Sequence, residues 1–194
     1  MKKLVSMIFL LNLILSNAYS MQPDVFVQST VNRASEILSK NISKEEKING
    51  LKIIAKETVD IRGVGFYSLG SNRKILNDAQ IQKYFNLFEN YFLKSFSSRL
   101  SEYTNPKIEV KSKKVINKNY TIVNSVLVST PDRPEVKIDW RVYTKNPNDP
   151  LIRDLIIEGL SLARTQKEEF ASILNSNNND INILISKLDE FVNN

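Results

Sequence analysis

The chain has 194 residues, 42% of them hydrophobic and 25% charged, with 27 basic against 21 acidic side chains and a net charge of +6. This is a globular composition, neither disordered nor fibrous. Cysteine and histidine are both absent, which excludes thiol and imidazole nucleophiles, zinc sites built on those ligands, haem ligation and disulfides. The five glycines form no phosphate-cradling loop.

Lys2 and Lys3 precede an apolar stretch from Leu4 to Leu15, broken only by Ser6 and Asn12, and the small-residue triplet Ala18, Tyr19, Ser20 follows. The pattern predicts a secretory signal peptide over residues 1–20, cleaved after Ser20, because the apolar run is too short for roughly 30 Å of hydrocarbon. Residues 21–194 are then a single domain, and losing Lys2 and Lys3 lowers the net charge to +4. Export leads to an oxidising compartment, where a chain without disulfides relies on its core alone. It also argues against nucleic acid as a partner, and the mild basic excess favours anionic membrane surfaces or an acidic protein.

From Pro23 to Ser39, Phe26, Val27, Val31, Ala34, Ile37 and Leu38 recur at the spacing of a one-faced helix. Ser43 and Glu46 form a capping box that opens a second helix, with Ile48, Leu51, Ile54, Ala55 and Val59 as its stripe. Residues 59–70 hold three of the five glycines and read as a short helical or irregular segment. Asn77 or Asp78 then caps a long helix in which Ile81, Phe85, Phe88, Phe92, Phe96, Leu100 and Tyr103 follow at steps of three or four, until Pro106 ends the helical region.

Between Ile108 and Ile157 the period falls to 2. Val136, Ile138, Trp140 and Val142 alternate with Lys137, Asp139, Arg141 and Tyr143, so this strand has one buried face. Residues 107–116, 121–130 and 151–163 supply three further strands, and the short turns between them predict an antiparallel meander. Thr165 with Glu168 reads as a capping box for a helix burying Phe170, Ile173 and Leu174, and Asp180 caps a last helix with Ile181, Leu184, Ile185, Leu188 and Phe191 as its stripe. The fold class is α+β: a twisted antiparallel sheet of about four strands with helices packed over one face.

Asp139, Asp154 and Glu158 are the carboxylates that an enzyme of the ketosteroid-isomerase type would need inside a pocket; the alternative is ordinary pairing with Arg141 and Arg153. Asp60 and Arg62 read as a local ion pair or cap. Lys111, Lys113, Lys114 and Lys118 read as a solvated sheet edge, or as a docking strip for acidic headgroups or an acidic protein. Eight aromatic residues between Phe66 and Phe96 form a wide apolar face, which fits a filled core and a hollow one equally. A filled core would suit an adaptor that binds only protein.

Several segments resemble the MlaC family of periplasmic phospholipid-binding proteins, also called toluene-tolerance or ABC-transporter auxiliary proteins. They are VDIRGVGFYSLG at 59–70, SSRLSEY at 97–103, VKIDWRVY at 136–143, IRDLIIEGLSLARTQKEEFASIL at 152–174 and DINILISKL at 180–188. The chain departs from the family pattern at Ser71, Asn72 and Arg73 and at Pro150, where relatives often carry aromatic residues.

The resemblance implies a carrier that holds the acyl tails of a glycerophospholipid in an apolar cavity and leaves the headgroup near solvent. It further implies a periplasmic location, no catalytic residues, no metal and no cofactor besides the bound lipid. The implied partners are an inner-membrane ABC transporter with MCE domains and an outer-membrane lipoprotein complex, served by a monomer. On this reading Phe66, Tyr67 and Leu69, then Phe85, Phe88 and Phe92, then Val126, Val128, Trp140, Val142, Ile156 and Leu160 line the cavity. Arg62 is the expected phosphate contact, and Gly63, Gly65 and Gly70 are expected to let their segment move as lipid enters.

Overall fold

The computed structural model describes residues 21–194, so the expected signal peptide lies outside the described residues. Helix α1 spans Pro23–Ser39 with Pro at its first turn, and α2 spans Lys44–Thr58 behind the Ser43/Glu46 capping box. Asp60 caps α3, Ile61–Ser68, by accepting from the Gly63 N–H, and a 3₁₀ turn follows over Gly70–Lys74. Asn77 and Gln80 form a reciprocal capping box that opens α4, Asp78–Leu100. Five N–H groups at these helix starts are thereby satisfied by the chain's own polar side chains.

Five antiparallel strands follow as a meander: β1 Ile108–Asn117, β2 Tyr120–Leu127, β3 Val136–Tyr143, β4 Leu151–Ile157 and β5 Leu160–Ser161, lying side by side in chain order. The segment expected as one strand over 151–163 is instead two strands and the start of a helix. Glu158 and Gly159, with φ of 49° and 83°, turn the chain between β4 and β5. Ser161 then caps α5, Leu162–Asn175, accepting from the Arg164 N–H, so the helix starts ahead of the expected Thr165/Glu168 box. Helix α6, Ile181–Asn193, closes the chain behind Asp180.

Pairing fixes which residues face inward. Val136, Ile138, Trp140 and Val142 oppose Leu127, Ser125, Val123 and Thr121, so those eight residues share one face. A bulge between Arg141 and Val142 leaves Arg153 as the extra residue of β4, and beyond it Leu155 opposes Trp140 while Ile156 opposes Asp139.

Two apolar clusters result. One joins α3, α4, α5 and α6 around Tyr84, Phe85, Phe88, Phe170 and Leu184. The other joins α1 to the sheet through Phe26, Val27, Val31, Val123 and Trp140. Val59 packs against both. Among the described residues no helix is long and apolar enough to cross a membrane.

Candidate functional site

A cavity of about 230 Å³ lies between the two clusters. An apolar void of ~150 Å³ is already large enough to stay dry and accept a benzene-sized guest. Its walls are Val31, Ala34 and Leu38 of α1; Leu51, Ile54 and Ala55 of α2; Phe88, Phe92, Phe96 and Leu100 of α4; and Leu127, Ile138, Trp140, Ile152, Leu155 and Ile157 of the sheet. Leu162 and Ala163 of α5 and Tyr103 and Pro106 of the strap after α4 complete it. Phe92, Phe96, Leu100, Val136 and Leu155 are half-buried and Tyr103 is 39% exposed, which places the mouth along the seam between the C-terminal half of α4 and β3–β4.

Apart from the Tyr103 hydroxyl at the exposed rim, the polar side chains in this lining bond within the protein. The Thr30, Thr58 and Ser35 hydroxyls donate to the carbonyls of Phe26, Ile54 and Pro106 at 2.9, 2.8 and 2.8 Å. Asp154 is buried and accepts from the Ser161 hydroxyl at 2.6 Å and the Ala163 N–H at 3.0 Å, so its charge sits at the N-terminus of α5. Gln166 accepts from the Tyr91 hydroxyl and donates to Glu169. Arg153 donates to Asp60 Oδ2 and to the Tyr120 hydroxyl, each at 2.7 Å, and stacks 3.6 Å from the Tyr143 ring centroid. Burial opposes the Arg153 charge, but the hydrogen bonds to Tyr120 and Asp60 outweigh it, and its pKa lies above the ordinary value. The wall therefore asks nothing polar of a guest, which suits hydrocarbon.

Of the residues expected in the lining, Phe88, Phe92 and Trp140 are there. Phe66 and Phe85 pack on each other, with ring centroids 4.5 Å apart, on the helical cluster's far side. Leu69 is buried in that same cluster, and Tyr67 is 41% exposed beneath the Lys167 amine. Val126 and Ile156 take the outward parity of their strands, since their cross-strand partners are Lys137 and Asp139. Val128 lies just past the end of β2, outside the lining, with its N–H bonded to the Lys107 carbonyl. Val142 is fully buried but fills the sheet cluster beyond the cavity's end, and Leu160 is 56% exposed on β5.

Arg62, the expected phosphate contact, is exposed and lies over the Phe85 and Phe66 rings at 4.2 and 5.5 Å, away from the lining. Its expected ion pair with Asp60 is replaced by the Asp60–Arg153 pair at 2.6 Å. Of the glycines at 63, 65 and 70, Gly65 has a packing role. A Cβ on Gly65 would lie 2.9 Å from Phe88 Cδ1, so this glycine permits close helix packing, and only Gly70, at φ 57°, needs the left-handed region. The walls contributed by α1 and α2 were missed as lining. Their stripes at Val31, Ala34 and Leu38 and at Leu51 and Ile54 are plain in the sequence, but a stripe does not show whether it meets a neighbour or a void.

The three carboxylates do not converge. Asp154 is held by α5, Asp139 accepts from the Asn124 amide at 2.8 Å on the outward face, and Glu158 is exposed in the β4–β5 turn. Lys111 and Lys114 are exposed along β1, at the sheet edge, and Lys118 in the turn to β2; Lys111 pairs with Glu109 and Lys113 with Asp24, each at 2.7 Å.

Comparison with known proteins places this architecture. The family model described as MlaC protein matches residues 28–190. The intermembrane phospholipid transport system binding protein MlaC of Haemophilus influenzae is 24% identical over 176 residues, covering 87% of this chain and 81% of that protein. The phospholipid-binding protein of Ralstonia solanacearum, solved in complex with a phospholipid, superposes with a TM-score of 0.73 at 19% identity, covering 87% of this chain and 96% of the other.

Proposed function

This chain belongs to the MlaC family, and on that premise we propose that it is a carrier for glycerophospholipid. The acyl tails lie in the cavity between the sheet and α1, α2 and α4, and the headgroup stays at the mouth beside Tyr103. The observation that carries this reading is a hydrocarbon-lined cavity whose buried polar neighbours already have hydrogen-bond partners within the protein. A solid core, as a protein-only adaptor would have, leaves no such space, and an isomerase-type enzyme needs a carboxylate free to act inside it. Asp154, the one carboxylate in the lining, is committed to Ser161 and Ala163.

The energetics suit the role. At about 0.8 kcal/mol per methylene, two tails of roughly 30 methylenes cost on the order of 20 kcal/mol to expose to water. Crossing an aqueous gap then needs a dry interior close to the bilayer in quality, yet not much better, so that release stays feasible. Non-directional apolar packing meets both demands.

The same reading includes cleavage after Ser20, a periplasmic location for the single domain of residues 21–194, and a monomer. Its partners are an MCE-domain ABC transporter in the inner membrane and a lipoprotein complex in the outer membrane. The test is organic extraction of the purified protein followed by mass spectrometry. One phospholipid per chain is the expected result; none, after expression in a host rich in phospholipid, overturns the carrier.

A further inference from the structure

Buried donors are as a rule hydrogen-bonded. Arg133 breaks that rule: its Nε is shut off from solvent and has no partner among the described residues. Its Nη2, on the same edge of the planar group, makes one long bond of 3.5 Å to the Val128 carbonyl. Arg133 joins none of the ion pairs found among the described residues. Arg153 is the contrast, with Asp60 and Tyr120 taking its donors.

The position matters as much as the missing partner. The Arg133 guanidinium carbon lies 5.5 Å from the ring centroid of Tyr103, the most exposed residue of the cavity lining. Reciprocal backbone bonds between Thr130 and Arg133, at 2.8 and 3.2 Å, fix the turn that carries it. The Val128 N–H bonds the Lys107 carbonyl at 2.8 Å, tying that turn to the strap of Tyr103 and Pro106. Arg133 is thus a permanently charged group, held in place at the mouth, with no acidic partner among the described residues and one long hydrogen bond, to the Val128 carbonyl.

We propose that Arg133 seats the phosphate of the bound lipid's headgroup at the mouth of the cavity, an assignment that rests on the carrier reading above. The tails then supply the affinity, and this contact fixes which end stays outside.

The test uses the full chain, equilibrated either with phosphatidylglycerol vesicles or with dispersed diacylglycerol of the same acyl chains, and reads bound lipid by mass spectrometry after gel filtration. Arg133→Gln is expected to take up about tenfold less phosphatidylglycerol and as much diacylglycerol as the wild type. Arg133→Lys, which keeps the charge without the planar edge, is expected to fall between. Undiminished phosphatidylglycerol uptake by Arg133→Gln, or equal losses of both lipids, overturns the assignment while the carrier stands. A wild-type protein that takes up neither lipid overturns the carrier and this assignment together. Inorganic phosphate in excess competes for the same contact and is expected to lower wild-type uptake toward the Arg133→Gln level while leaving Arg133→Gln unchanged; an equal fall in both proteins would overturn the assignment. Thermal melting separates lost binding from lost fold, and if Arg133→Gln unfolds, the comparison of Arg133→Lys with wild type decides.

Discussion

The Trp140 indole N–H donates to Ser125 Oγ at 2.8 Å, and that hydroxyl donates onward to the Ile138 carbonyl at 2.9 Å. This places a large ring against the cavity with its one polar atom satisfied. Ser125→Ala strands the indole N–H in a buried site and is expected to cost about 1–3 kcal/mol in urea denaturation. Adding Trp140→Phe should recover part of that loss. Strict additivity of the two changes would mean the bond contributes nothing.

Leu155 and Ile156 are neighbours on β4 that face opposite ways, Leu155 into the cavity and Ile156 outward. Leu155→Glu is expected to abolish co-purifying phospholipid, whereas Ile156→Glu should retain it. Lipid counts per folded chain decide, and the reverse pattern would show the register to be wrong by one residue.

Asp60 does two tasks: it pairs with Arg153 and accepts from the Gly63 N–H. Its side chain is 16% exposed and that of Arg153 29%, so breaking the pair leaves a poorly solvated charge. Asp60→Ala, which loses both, should destabilise by about 3 kcal/mol. Asp60→Asn keeps an oxygen for the cap and should cost visibly less. Equal costs by chemical denaturation would leave the cap without weight.

Gly65 gives close approach rather than freedom, since an added Cβ meets Phe88 at 2.9 Å and Phe85 at 3.0 Å. Gly65→Ala is therefore expected to lower stability by about 1–3 kcal/mol. An unchanged melting temperature would show that the two rings give way to the added methyl.

The hydrogen bond from Lys113 holds the Asp24 carboxyl below its ordinary value of 3.8, against a smaller opposing effect of burial. A carboxylate with a depressed folded pKa stabilises fully above its unfolded pKa, and the benefit is lost as pH falls through the folded value. Wild type is expected to melt slightly above Lys113→Met at pH 6, with the gap closing at progressively lower pH below about 4. Both groups are about one-third exposed, so the gap is small and shrinks with salt. A gap that widens on acidification would contradict the pair.

Local chemistry made most elements legible. Ser43 with Glu46, Asn77 beside Asp78, and Asp180 announce helices by polar side chains at the cap, and the alternation through Trp140 announces β3. The 151–163 region misled because Leu160 and Ser161 continue an apolar strand pattern across a turn made by Glu158 and Gly159. The cavity was less legible than the fold. Helix α4 has apolar residues on more than one face: Phe85 meets Phe66 in the helical cluster while Phe92 meets the void, and nothing in their spacing tells the two apart. In β2 the residues Val123, Val126 and Leu127 are apolar at both parities, so only pairing with β3 shows that Val126 turns outward. Arg133 left no periodic trace, because its significance comes from a missing partner.

The hydroxyls of Thr30, Ser35 and Thr58 are each consumed by a main-chain carbonyl of the wall they stand in. A wall so occupied offers a tail no hydrogen bond, so discrimination among acyl chains falls to the size and outline of the hollow alone. Recognition of anything polar is left to the rim.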